Sequence, residues 1–229
     1  MDNKRHEEIS FFHPKIIIGT CILTGTILGS YKFYSTNFRR ISSSSQIPQK
    51  YFHRQFIYGK VTSVGDGDNF HLFHLPGGRL LGWHWLRLTP KVNDFKKLKK
   101  KTIHVRLCGV DAPERSHFGK PSQPFSEEAL EWLRYYILGK NVWVKPLSID
   151  QYQRVVGKVL VWKFTGWKDV SEQMIKNGVA IVYEGKASAE FDGKEQVYRE
   201  LEAEAKKKKK GLWFQKLVLT PGQYKKFYK

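Results

Sequence analysis

Hydrophobic and polar positions alternate along this chain in three different ways, and each predicts a different kind of element. The first stretch is apolar on every side. Ile16–Tyr34 reads IIIGTCILTGTILGSYKFY, 19 residues with Lys32 as the only charge. At about 1.5 Å per helical residue it spans roughly the hydrocarbon core of a bilayer. The expectation is one transmembrane helix, with Tyr31, Phe33 and Tyr34 in an aromatic belt and Lys32 snorkelling to the interface. A cleaved signal peptide fits less well, because the run is long for an h-region and no A-x-A-like site follows it.

The second pattern has period two. Phe56–Val64, Asn69–Leu75, Ile103–Leu107, Asn141–Pro146 and Val155–Phe164 read as strands. Gly65-Asp66-Gly67-Asp68 turns the first pair into a hairpin, and Pro76-Gly77-Gly78 makes the next turn. The third pattern is helical. Ser126 is expected to cap a helix running to Leu138, with Glu127 and Glu128 in its first turn and Leu130, Leu133 and Ile137 inward. Ser171 is expected to cap a short helix ending at Asn177-Gly178. Glu195–Lys210 reads as an amphipathic helix with Val197, Tyr198, Leu201 and Ala205 buried and a lysine run at its end.

These elements divide the chain into a polar tail (1–15), a membrane helix (16–34), a linker (35–50), a globular domain (51–214) and a basic tail (215–229). Ser42–Ser45 and Pro48 give the linker its composition. Mixed strands and helices make the fold class α+β.

Charge narrows the partners. The net charge is +19 over 229 residues. Residues 1–50 hold seven Lys/Arg and three Asp/Glu, so +15 belongs to the rest. A domain this basic favours polyanions, nucleic acid first and anionic lipid second. Lys32 near the end of the apolar run and Arg39 and Arg40 after it have no acid nearby, which keeps the large domain on the positive side of a membrane. The acid-poor flank FRRISSSS also suits mitochondrial sorting. Cys21 and Cys108 lie in a membrane helix and in a strand, so no disulfide framework is expected.

Candidate chemistry concentrates in IHVRLCGVDAPER, Ile103–Arg115. Alternation points Arg106 away from Ile103, Val105 and Leu107, and Gly109 and Pro113 end the strand. A guanidinium and two carboxylates, Asp111 and Glu114, then stand at one strand end. That set suits a phosphodiester held by a hard cation. Asp111 can ligate metal, Glu114 can orient or deprotonate a water, and Arg106 can neutralise phosphate charge. Asp66 and Asp68 add two carboxylates at the hairpin bend, and DQYQR (Asp150–Arg154) adds an arginine at another. In the segment between Gly77 and Lys101, GWHWLRL and KKLKKK offer tryptophans for stacking and lysines for phosphates; a solvated loop with an aromatic plug is the plainer reading. His71 and His74 point to opposite faces of a strand, which disfavours a zinc site.

VGDGDN (Val64–Asn69), RLCGVDAPE (Arg106–Glu114), DQYQRVVGKVLV (Asp150–Val161) and AEAKKKKKGLW (Ala203–Trp213) occur in the order of the signature blocks of the staphylococcal nuclease (thermonuclease) family. Tyr51–Phe214 resembles that family. PGGRLLGWHWL, HFGKPSQPFSEEAL, TPGQYKK and the apolar N-terminus are similar to its fungal mitochondrial, single-pass, membrane-anchored probable endonucleases. The resemblance implies an OB-fold, a five-stranded β-barrel with about three packed helices, and Ca²⁺-dependent hydrolysis of DNA and RNA. It puts Arg106, Glu114 and Arg154 on catalytic positions. Asp68 and Asp111 fall on side-chain calcium ligands, Ala112 on a backbone-carbonyl ligand, and Tyr152 and Tyr183 on substrate-binding positions. Asn69, Gln151 and Gln153 depart from the family's usual threonine, lysine and glycine. The competing function classes are a catalytically weak, membrane-tethered nucleic-acid-binding OB module and a membrane adaptor whose lysines hold anionic lipid.

Overall fold

The computed structural model describes residues 13–92, 94–116, 121–185 and 190–227. The tail expected over 1–15 lies outside the described residues except for its last three. Two compact units result, Met1–Arg39 and Arg40–Lys229.

The first unit is a helix, α1 (Pro14–Asn37). Its side chains are exposed along the apolar run. Thr20 and Thr26 donate their hydroxyls to the carbonyls of Ile16 and Ile22 at 2.9 and 2.8 Å, so these polar groups are internally satisfied. Pro14–Thr36 is long and apolar enough to cross a membrane.

The second unit is built on β1 (Ile57–Asp66), β2 (Asn69–His74), a short helix α2 (Phe95–Leu98), β3 (Ile103–Leu107) and β4 (Val110–Asp111). It continues with α3 (Ser126–Ile137), β5 (Asn141–Ile149), β6 (Val155–Lys163), β7 (Gly166–Asp169) and α4 (Val170–Lys176). β8 (Ile181–Val182), α5 (Glu195–Lys207) and α6 (Pro221–Phe227) complete it. The strand order is β3-β2-β1-β5-β6-β7, and β3 also pairs with β6. The first half of β6, Val155–Gly157, runs parallel to β3 and closes a five-stranded barrel. Its second half, from Leu160, pairs with β7 instead. The OB-fold expectation holds; β7 and the small β4–β8 pair are additions to it.

Inward-facing positions fill the barrel. Val61, Phe70, Leu72, Val105, Val142, Val144, Val155 and Val159 are fully or almost fully buried. α3 closes one side with Ala129, Leu130, Leu133 and Ile137. Each buried leucine or isoleucine contributes roughly 1.5–3 kcal/mol over exposure.

Several expectations are corrected in detail. Ser126 is not the cap of α3. Phe125 takes that place in the left-handed region (φ 69°), without a side-chain cap bond. Ser171 does not cap α4 either. Asp169 does, accepting from Ser171 N at 3.0 Å, while Ser171 Oγ donates to Cys108 O at 2.9 Å. The helix begins one residue earlier than Ser171, so Asp169 holds the cap position and reaches the amides of Ser171 and Glu172. Val197 is 43 % exposed; Tyr198 and Ala205 carry the buried face of α5.

The serine-rich segment read as a linker is seated on the barrel. Ile41 and Ile47 are buried, and Ile41 N donates to His74 Nδ1 at 2.9 Å. The expected C-terminal tail contains α6, whose Tyr224 is buried and donates its hydroxyl to Pro121 O.

Candidate active site

Three turns at one end of the barrel bring the polar groups together. The β1–β2 hairpin presents Asp66 and Asp68, and the β3–β4 turn separates Arg106 from Asp111. The β5–β6 turn presents Asp150–Arg154. Gly67 makes the first two meet. A Cβ there would lie 2.7 Å from Ala112 Cβ and 3.2 Å from Ala129 Cβ, so only glycine lets the hairpin bend approach the Asp111–Ala112 segment.

Arg106 Nη2 lies 3.0 Å from Asp68 Oδ2 and 2.9 Å from Asp111 Oδ1. Both carboxylates are buried. Burial alone would lower the arginine's pKa; Asp68 and Asp111 outweigh that and raise it. The Arg106 guanidinium also stands 5.7 Å from the centre of the Tyr183 ring. Asn69, where the family usually has threonine, donates Nδ2 to Asp68 Oδ1 at 3.0 Å and meets His104 Nε2 at 3.0 Å through Oδ1. It orients the aspartate.

Asp66 is pushed up to about 6, first by burial and then by the Asp68 carboxylate, with Glu114 adding to the effect. Asp68 and Asp111 are buried against Arg106, while the half-buried Asp66 feels Asp68 and Glu114 on one side and Arg115 on the other. Their carboxylate oxygens are the hard donors that a divalent cation takes, and among the described residues no three such side chains are grouped to hold one.

Arg154 is held by a different device. Asp150 Oδ1 accepts from the amides of Tyr152 and Arg154 at 2.9 Å each, and Asp150 Oδ2 accepts from Arg154 Nε at 2.7 Å. Burial would raise the Asp150 pKa; these hydrogen bonds outweigh it and hold the carboxyl below its usual range. Gln153, in the place of the family's glycine, still adopts the left-handed conformation, φ 60°. The bend is kept by the aspartate rather than by glycine. Arg154 lies 5.2 Å from the exposed Tyr152 ring.

A cleft of about 450 Å³ is lined by Arg106, Asp150, Tyr152, Arg154, Tyr183 and Glu190, among others. Asp111 opens into an adjoining hollow of about 290 Å³ with Tyr183, Glu184 and Lys226. The structure therefore groups Arg106, Asp68 and Asp111 by direct contact and sets Arg154, Tyr152 and Tyr183 around one cleft. Glu114 sits on the loop beyond Ala112, where Gln123 Oε1 accepts from its amide at 3.0 Å.

A family model described as "Staphylococcal nuclease homologue" matches residues 104–215. "Probable endonuclease LCL3" of Komagataella phaffii is 60% identical over 224 residues, covering 98% of each chain. The chain belongs to the staphylococcal nuclease homologue family. It is a hydrolase of that nuclease family. "Probable endonuclease LCL3" of Yarrowia lipolytica and that of Candida glabrata are 55% and 50% identical, over 93% and 92% of this chain and 94% and 91% of theirs.

Two contributors stand inside the quoted blocks without a role that the sequence reading assigns them. Asp150 reads in sequence as part of a polar bend, although an aspartate followed by two amides is a recognisable Asx-turn signal. Gln123 gives no local signal, because it joins the Glu114 loop to Leu219, 96 residues further along the chain.

Proposed function

We propose that this chain is a membrane-anchored, Ca²⁺-dependent endonuclease that cuts nucleic-acid phosphodiesters with low sequence specificity. The observation that carries the reading is the shared Arg106 guanidinium, which joins two buried carboxylates beside a cleft that also holds Arg154. Asp68, Asp111 and the Ala112 carbonyl would hold calcium, which when bound supplies charge for a phosphoryl oxygen and a place for water. Glu114 takes the proton from the attacking water or orients it. Arg106 and Arg154 offer paired N–H donors to the phosphorane-like oxygens, where charge builds up. Tyr152 and Tyr183 flank these arginines and suit stacking against a base or sugar. Recognition by charge and stacking reads no base edges, so specificity is low.

The apolar α1 supports a single-pass anchor, and the Arg/Ser-rich, acid-poor flank supports a mitochondrial membrane. The deciding experiment uses Arg40–Lys229, because Ile41 and Ile47 belong to the folded unit. Single-stranded DNA, duplex DNA and RNA are offered with Ca²⁺, Mg²⁺ or EGTA, beside E114A. Calcium-dependent cutting that E114A loses is the expected result. Salt-sensitive binding without cutting would instead identify a tethered binding module.

A further inference from the structure

The segment after β2 carries large apolar side chains in open exposure. Leu80 and Leu88 are each 94% exposed, Leu86 71% and Trp85 70%. Four such residues within nine positions form a patch, and patches of this kind mark interaction sites. The loop that bears them is fixed. Trp83 packs edge-on to Phe73 with ring centroids 5.9 Å apart, and its Nε1 donates to Pro76 O at 3.1 Å. Lys60 Nζ donates to Pro90 O at 3.0 Å, and His84 Nε2 meets Asn141 Nδ2 at 3.0 Å. Trp83 is thus the plug, and its neighbours are held outward. Arg79, Arg87 and Lys91 are exposed among them, and no acidic residue lies between Pro76 and Val92.

Two relationships say what covers this patch. Arg40 stacks on Phe73, 4.3 Å from its ring centre, and Ile41 is tied to His74. The loop therefore stands where the chain enters the barrel, and only Phe38 and Arg39 separate that point from α1. The register supplies the second relationship. Phe73 pairs with Lys60, and Lys60 with Asn141, so one row of the barrel carries the plug and its ties. The carboxylate turn, where Asp66 pairs with Asn69, is six residues further along β1, or about 20 Å.

We propose that residues 78–92 dock the barrel onto an anionic bilayer surface, with Leu80, Trp85, Leu86 and Leu88 in the interface and Arg79, Arg87 and Lys91 at headgroup phosphates. The catalytic end then points into the aqueous phase. The inference rests on the membrane-anchor part of the proposed function and is independent of the nuclease part. Leucines are not stacking groups, and paired with basic residues they match the composition of interfacial segments better than a nucleic-acid contact.

The test uses Arg40–Lys229, whose core contains no α1 side chain. Flotation with vesicles of phosphatidylcholine, alone or with an equal part of phosphatidylglycerol, measures partition. Binding to the anionic vesicles is expected, and L80S/L88S lowers it about tenfold or more, with oligonucleotide cleavage unchanged. Hydrogen exchange on the parent should slow at 78–92 when those vesicles are added. Equal partition of parent and variant, or slowing elsewhere only, overturns the proposal. So does slowing at 78–92 by a single-stranded oligonucleotide and not by vesicles. A protein that binds vesicles without cutting would sink the nuclease reading alone. Release of the full chain from membranes by alkaline carbonate would sink the anchor alone.

Discussion

Gln123 and Glu114 are joined twice: Glu114 N donates to the Gln123 side-chain Oε1 at 3.0 Å, and Gln123 N donates to Glu114 O at 2.7 Å. The buried Gln123 also donates Nε2 to Leu219 O, which joins the C-terminal segment to the same loop. Glu114's position therefore depends on residues a hundred positions downstream. Q123A should lower kcat about ten- to a hundredfold with little change in KM, since a misplaced base costs the chemical step more than binding. Truncation after Leu217 should do the same. Parent-like kcat in both variants would show that the loop is held by other contacts.

The two arginines should not tolerate lysine. Arg106 uses one nitrogen for Asp68 and Asp111 together, leaving the rest of its fork for substrate. Arg154 commits Nε to Asp150 and keeps its terminal nitrogens. R106K and R154K are each expected to slow single-turnover cleavage about 10²–10³-fold, while a filter-binding assay on the same substrate changes less. Cutting at the parent rate by either variant would remove that residue from the catalytic set.

Gln153 offers a test with the opposite sign. It holds φ 60° without being glycine, a conformation that costs an L-residue roughly 1–2 kcal/mol. Asp150 already fixes the bend through two amides. Gln153→Gly should therefore raise the unfolding free energy by about 1 kcal/mol in urea titrations, with cleavage unaltered. A loss of stability would mean that the Gln153 side chain has a role in the turn.

What the sequence made legible was local and periodic. The barrel strands showed in their alternation, and α3 showed in Leu130, Leu133 and Ile137, because burial on one face writes itself into spacing. The Arg106–Glu114 block could be read because its chemistry is contiguous. Closure of the barrel by β6 against β3, and the seat of Ile41 on His74, depend on partners 30 or more residues apart in sequence, which leave no periodic trace. The caps were misplaced for a related reason. Ser171 and Asp169 are both competent N-caps, and Ser171 is drawn off by Cys108 O, 63 residues away.

Calcium should stabilise the fold as well as switch on cleavage. The crowding that raises Asp66 comes after burial from Asp68, with Glu114 contributing, so a divalent cation relieves native-state repulsion that the unfolded chain lacks. At a hundredfold excess over its dissociation constant, one ion adds about 2.7 kcal/mol. That corresponds to a rise of roughly 5 °C or more in melting midpoint for a unit of this size. D111N should abolish the rise, and EGTA should reverse it in the parent. An unchanged midpoint in the parent would argue against calcium at this site.

His74 predicts how the entry segment responds to acid. Burial, then the nearby Arg40 charge, lowers its pKa from 6.5 to about 4. Its Nδ1 accepts from Ile41 N, which requires the neutral ring. Between pH 6.5 and about 4 the unfolded chain binds this proton and the folded one does not. The associated stability is therefore fully present above pH 6.5 and falls by about 1.4 kcal/mol per unit as the pH drops towards 4. His104, lowered to about 4 by burial and then His71, adds a slope of the same sign. Urea midpoints of Arg40–Lys229 across this range should decline steeply in the parent and less steeply in H74Q, whose amide oxygen can still accept from Ile41. Hydrogen exchange at Ile41 should rise with acid in the parent and stay level in H74Q. Parallel slopes in the two proteins would show that His74 does not carry the acid sensitivity of this seat.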